Sequence, residues 1–121
     1  MGMLDGIRVL DLTSNGAGPG GAALFADHGA DVIKIERPVV GDDCRYFGPF
    51  IEGSSLASAW TNRGKRSITI DLQDPEGVAI VKELAKTADV FIESFRPGVI
   101  KKLGLGYDVI KEVKPDIVYA S

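Results

Sequence analysis

Little in this chain suits redox or metal chemistry. Its 121 residues hold one cysteine, Cys44, and one histidine, His28. A lone thiol excludes an internal disulfide, no Cys/His cluster has metal-ligand spacing, and no metal is expected. A reduced, cytoplasmic setting follows from that cysteine usage. No apolar run approaches the roughly 18–20 residues of a membrane span. The N-terminus shows no basic start backed by an apolar core. No membrane partner is therefore expected. The formal net charge is −3, and no long basic run invites a nucleic acid. Basic residues come in small groups, "NRGKRS" at 62–67 and "KK" at 101–102. Internal repeats and low-complexity segments are also missing.

What is present is alternation. "IRVLDL" (7–12), "ADVIKIE" (30–36), "SITIDL" (67–72), "DVFIESF" (89–95) and "DIVYAS" (116–121) are apolar runs rich in branched residues. They read as strands buried on both faces. Helical spacing fills the gaps at 18–29, 74–88, 96–106 and 107–115. The segment 74–88 opens with an Asp N-cap, a Pro in the first helical position and an early Glu. The stretch 37–55 is too long and polar for a plain connection, and reads as a functional loop. Strand–helix alternation predicts an α/β class: a Rossmann-like parallel sheet with helices on both faces. The chain stops on the fifth strand, where ligand-bearing loops leave such a sheet. It therefore reads as the N-terminal segment, residues 1–121, of a longer large domain.

The first strand-to-helix loop carries Gly16, Gly18 and Gly21 in G-x-G-x-x-G spacing, with Glu36 twenty positions after the first glycine. This is nearly a dinucleotide fingerprint. A helix N-terminus behind a glycine loop suits a phosphate. Two details depart from a nicotinamide site. "TSN" (13–15) lengthens the turn, and Pro19 suggests that the helix begins after Gly18. Glu36 could take a ribose hydroxyl or pair with Arg37 or another base. His28 and Cys44 read as incidental, and Trp60 as packing. Asp11, Asp42 and Asp43 read as strand-end, turn or cap residues rather than nucleophiles.

The segments "LDGIRVLDLT", "AGPGG", "GADVIKIERP", "NRGKRSITIDLQDPEG", "ADVFIESFRPGVIKKLGLGYD" and "KPDIVYAS" come in one order. Together they resemble the start of the class III CoA-transferases, the family of formyl-CoA transferase and carnitine CoA-transferase. The resemblance runs from Leu4 to Ser121. It implies a Rossmann-like large domain, a further small domain and two interlocked chains forming a homodimer. It implies exchange of coenzyme A between an acyl-CoA and a small carboxylic acid, through covalent aspartyl intermediates. The nucleophilic Asp would lie beyond Ser121, so the 121-residue piece is expected to be inactive alone.

By the same resemblance, the coenzyme A contacts would come from Gly16 and Ala17, Arg37, Ile70, Asp71, Leu72 and Gln73, Ser94, Phe95 and Arg96, and Lys102. Arg37 would pair with phosphates through its guanidinium fork. The segment 70–73 would flank the adenine. Three positions depart from the family pattern: Lys102 replaces an Arg, Gln73 a Lys and Ser94 an Asn. The glycine spacing leaves two other readings open, an NAD(P)-binding dehydrogenase domain and a non-catalytic module on the same fold.

Overall fold

The computed structural model describes residues 2–121. A five-stranded, fully parallel sheet organises it. In chain order the elements are β1 (Arg8–Leu12), α1 (Ala17–Asp27), β2 (Asp31–Glu36), a 3-10 turn (Asp43–Tyr46), β3 (Phe50–Ile51), β4 (Ser54–Ser55), α2 (Leu56–Thr61), β5 (Arg66–Thr69), α3 (Pro75–Ala85), β6 (Val90–Glu93), α4 (Val99–Lys102), α5 (Tyr107–Val113) and β7 (Val118–Ala120). The strand order is β5-β2-β1-β6-β7, and β3 pairs with β4 in a separate small hairpin. The main order reverses direction at β1. The chain builds outward through β2 and β5, then returns to pair β6 on the other side. Doubly wound sheets bind ligands at that reversal, beside the carboxyl ends of the strands.

Side-chain alternation along β1 and β2 assigns the helices to faces. Val9 and Val32 pack with Ala22 and Ala30 on the α1 face. Leu10, Leu12, Ile33, Ile35 and Phe91 point the other way, against Val81, Ala85, Ile100 and Ile110 of α3, α4 and α5. Both faces are thus covered, as the alternation predicts. The central strands β1 and β2 are buried almost throughout. The expectation of doubly covered strands fails at the edges. All four residues of β5 are exposed, and β7 is exposed at Val118 and Ala120.

Local chemistry explains most element ends. Asp74 caps α3, accepting the Glu76 amide at 2.9 Å, with Pro75 next in line. Gly29, at φ +100°, ends the α1 turn in the left-handed region that glycine enters without a Cβ penalty. Several boundaries differ from the sequence expectation. Helix α1 starts at Ala17, so Pro19 stands third in the helix. The first helical amides lack intrahelical partners anyway, so proline fits there as well as at the first position. Strand β5 stops at Thr69, and β6 stops at Glu93. Ile70–Gln73 and Ser94–Arg96 are therefore loop residues at the carboxyl edge. Helix α2 is an element that the sequence pattern did not indicate. Ser55 caps it by accepting the Ser58 amide at 3.1 Å. Among the described residues, no helix is long and apolar enough to cross a membrane.

Candidate functional site

A cleft of about 510 Å³ opens at the carboxyl ends of β1, β2, β5 and β6. That size lies within the range of small-molecule sites. Three separate segments after the strands wall it: Thr13–Ser14 after β1, Arg37 with Gly41–Asp43 after β2, and Ser94–Arg96 after β6. The Ile70–Gln73 loop closes a further side, and Val99 and Leu103 contribute from α4. A larger hollow of about 690 Å³ lies along β7, between Tyr107, Ile117 and Tyr119. It sits away from the strand reversal and holds none of the residues implied by the family resemblance. The site is therefore placed at the smaller cleft.

Eight of the eleven implied residues line that cleft: Arg37, Ile70, Asp71, Leu72, Gln73, Ser94, Phe95 and Arg96. Gly16 and Ala17 do not line it. They stand at the exposed start of α1, just past the lining residues Thr13 and Ser14. Lys102 also lies outside, exposed on α4 next to Leu103. The wall is mixed in character. Leu12, Ile35, Ile70, Leu72, Phe95 and Val99 supply apolar surface, and Arg37 and Arg96 supply cationic heads. Among the described residues, Arg96 makes no ion pair. Arg37 is engaged: its Nε donates to the Gly41 carbonyl at 3.0 Å, and its terminal nitrogen pairs with Asp43.

Glu36 is not available to a ribose. It is 6% exposed, and both its oxygens are occupied. Arg45 donates twice, at 2.8 and 2.6 Å, the Asp42 amide at 2.9 Å and the Ser67 hydroxyl at 2.8 Å. The base that pairs with Glu36 is therefore Arg45 rather than Arg37. Arg45 holds the Glu36 carboxyl down to about 2; burial opposes this, and the Asp42 amide and Ser67 assist.

Beneath the cleft lies a cluster of four buried charges. Asp11 and Lys34 are direct partners in the β1–β2 ladder. Lys34 Nζ sits 2.7 Å from Asp42 Oδ2 and 3.7 Å from Asp11 Oδ2. The Lys34–Asp42 contact is a buried ion pair. The ammonium also donates to the Thr13 carbonyl at 2.6 Å. Lys65 Nζ donates to Asp11 Oδ2 at 2.7 Å and to the Pro19 carbonyl at 2.8 Å. Burial pushes the Lys65 ammonium below its usual range, against the pull of Asp11. Burial also raises the Asp42 carboxyl, but Lys34 and the Cys44 and Asn15 amides outweigh it and bring it to about 2.

The other two basic side chains of the 62–67 turn are paired away from the cleft. Arg63 pairs with Asp27, and Arg66 with Asp31. The "NRGKRS" turn therefore serves the fold, with no residue on the cleft wall. Trp60 departs from its packing expectation: it is 64% exposed, with the Arg63 guanidinium 5.5 Å from its ring. His28 is exposed at the end of α1. The sequence reading overlooked Lys34 and Arg45. The signal for Lys34 was available: one charged residue flanked by Ile33 and Ile35 in an otherwise apolar strand.

Comparison with known proteins identifies the family and the fold. The family described as CoA-transferase family III matches residues 4–121. A mouse succinyl-CoA:glutarate CoA-transferase is 48% identical over 98% of this chain, which spans 27% of that protein. An acetyl-CoA:oxalate CoA-transferase of Acetobacter aceti is 44% identical over 99% of the chain, which spans 31% of it. A crystal structure of a CAIB/BAIF family protein from Brucella suis superposes with a TM-score of 0.91 at 42% identity, over 98% of this chain and 33% of that one. The chain thus spans about a third or less of the relatives it matches, and it belongs to CoA-transferase family III.

Proposed function

We propose that this chain carries most of the coenzyme A site of an enzyme that moves CoA between an acyl-CoA thioester and a free carboxylic acid. The observation that supports this reading is the convergence of Arg37, Ile70–Gln73 and Ser94–Arg96 on one cleft at the strand reversal. Those residues lie up to 59 positions apart in the chain. Ile70, Leu72 and Phe95 offer flat apolar surface for a base. Arg96 offers an uncommitted cation to a phosphate. Arg37 offers a second, once its contact with Asp43 is exchanged for the stronger pairing of a guanidinium with phosphate. Lys102, on the adjoining helix, adds charge at the rim.

In the same reading the chain is the N-terminal segment of a large domain that works as an interlocked homodimer in the cytoplasm. The nucleophilic Asp lies beyond Ser121. Attack of that carboxylate on the thioester forms an acyl–aspartyl anhydride and releases the CoA thiolate. The 121 residues bind and orient CoA, and turn nothing over alone. The two relatives quoted above differ in their named acids, glutarate and oxalate, so the acid used by this protein stays at the level of a small carboxylate. The nicotinamide alternative has lost its acidic residue, because Glu36 is consumed by Arg45, Ser67 and the Asp42 amide.

Titration calorimetry of the chain with CoA and with NAD tests the reading. CoA binding that weakens on Arg96→Ala is expected. NAD binding without CoA binding would overturn it. Transfer activity by the 121-residue chain would overturn the placement of the nucleophile.

A further inference from the structure

We propose that Lys34 and Asp42, on the floor of the cleft, are positioning residues for bound CoA, acting through the Thr13–Asn15 turn, whose Thr13 and Ser14 line it. The proposal rests on the CoA reading of that cleft. The motivating oddity is Lys34 itself. It occupies the middle of a central strand, 1% exposed, at a position where an apolar side chain would pack without a charge to desolvate. Buried ion clusters are seldom more stable than apolar replacements of the same shape. Stability is therefore a weak reason for this one, and its contacts suggest another.

Every residue of the turn is tied into the cluster. The Thr13 amide donates to Asp11 Oδ1 at 3.0 Å, and the Thr13 carbonyl accepts from Lys34 at 2.6 Å. Asp42 Oδ1 accepts from the Ser14 hydroxyl at 3.0 Å and from the Asn15 amide at 2.9 Å. Asn15 is held at φ +73°, a region that non-glycine residues enter at a cost. The same Asp42 oxygen accepts the Cys44 amide at 3.0 Å, so one carboxylate fixes two cleft segments relative to each other. The constraint also crosses the strand reversal: the Ser14 amide donates to Ser94 Oγ at 3.1 Å. Lys34 holds Asp42, Asp42 holds Ser14, and Ser14 holds Ser94 on the adjacent wall. "TSN", the insertion that lengthens the turn beyond a nicotinamide fingerprint, is the segment this chain of contacts fixes. A wall fixed before binding spares the ligand the cost of ordering it.

The test compares wild type with the paired variant Lys34→Met/Asp42→Asn. It removes one buried charge of each sign, so neither is left uncompensated. Free CoA is titrated by calorimetry, and amide exchange at Ser14 and Asn15 is followed by NMR without ligand. The expected result is a folded protein, faster exchange at both amides and CoA affinity lower by about tenfold. Equal CoA affinity in wild type and variant, or unchanged exchange, would overturn the positioning role while leaving the CoA reading intact. A wild-type chain that takes no CoA would overturn both. If the pair does not fold, Ser14→Ala decides: it removes the hydroxyl that Asp42 holds without uncovering a buried charge, and should weaken CoA by a few-fold and speed exchange at Ser14 and Asn15. A Ser14→Ala protein that matches wild type in both readouts sinks the proposal.

Discussion

The sheet has two unlike halves. On the β2 side of β1 the apolar core formed by Val32, Ile33 and Ile35 is joined by buried charge. Asp11, Lys34, Lys65 and Asp42 form one cluster, and Glu36, Arg45 and Ser67 form another. On the β6 side the interior is held by apolar contact. Phe91 stacks on Tyr119 with ring centroids 5.1 Å apart, Tyr107 meets Tyr119 edge-on at 5.6 Å, and Leu105 and Ile110 are fully buried behind them. Apolar burial is non-directional and supplies most of the folding free energy. Ion pairs and hydrogen bonds supply little net stability but dictate direction. The charged half also carries the long loop and two of the cleft walls. Direction is what a binding wall needs.

The sharpest way to break this contrast is Lys34→Met alone. It leaves Asp42 buried with its cation gone, which costs about 3–5 kcal/mol. A large fall in melting temperature is expected, with partial recovery when Asp42→Asn is added. Melting curves of the two proteins side by side check this, and a single variant as stable as wild type would refute it.

Glu36→Gln comes next and has a pH signature. The folded state holds the Glu36 carboxyl at about 2, against an ordinary 4.5. A depressed carboxyl contributes stability that is full above about pH 4.5 and is lost as pH falls toward 2. The contribution near neutrality is on the order of 3 kcal/mol, before the discount for solvent screening at half-exposed Arg45. Denaturant titrations between pH 2 and 7 should show a shallower acid loss in Glu36→Gln than in wild type.

On the apolar half, Ile110→Val should cost about 1 kcal/mol. It should leave CoA affinity per folded molecule unchanged, because Ile110 sits behind the sheet and away from the cleft. Calorimetry on the folded fraction checks that separation. Smallest of all is Lys86→Ala, which removes an exposed i,i+3 pair with Glu83. Its effect on chemical denaturation should lie within about 0.5 kcal/mol.

Much of the architecture was legible in the chain. Strands β1 and β2 are continuous branched runs, and only a doubly covered sheet accommodates them. Helix α3 announces itself through Asp74 and Pro75. The pattern failed where long-range contacts set local structure. Helix α2 is six residues long, too short to hold itself, and stands because Ser55 caps it and the 3-10 turn packs on it. Strand β5 ends early because pairing with β2 stops at Glu36–Thr69. A ladder cannot outlast its partner.

The cleft divides in the same way. The family resemblance carried by the ordered motifs implied eight of its lining residues, because the order of motifs along the chain can be read without the fold. Which groups face each other across the cleft was not a local fact. Arg45, rather than Arg37, reaches Glu36, and Lys34 reaches Thr13 and Asp42 from 21 and 8 positions away. Hydrogen bonds and ion pairs depend on ångström distances between segments that only the folded sheet brings together. Composition and order determined the class of fold and the family. Tertiary structure decided which charges are spent inside the protein and which, like Arg96, make no ion pair among the described residues.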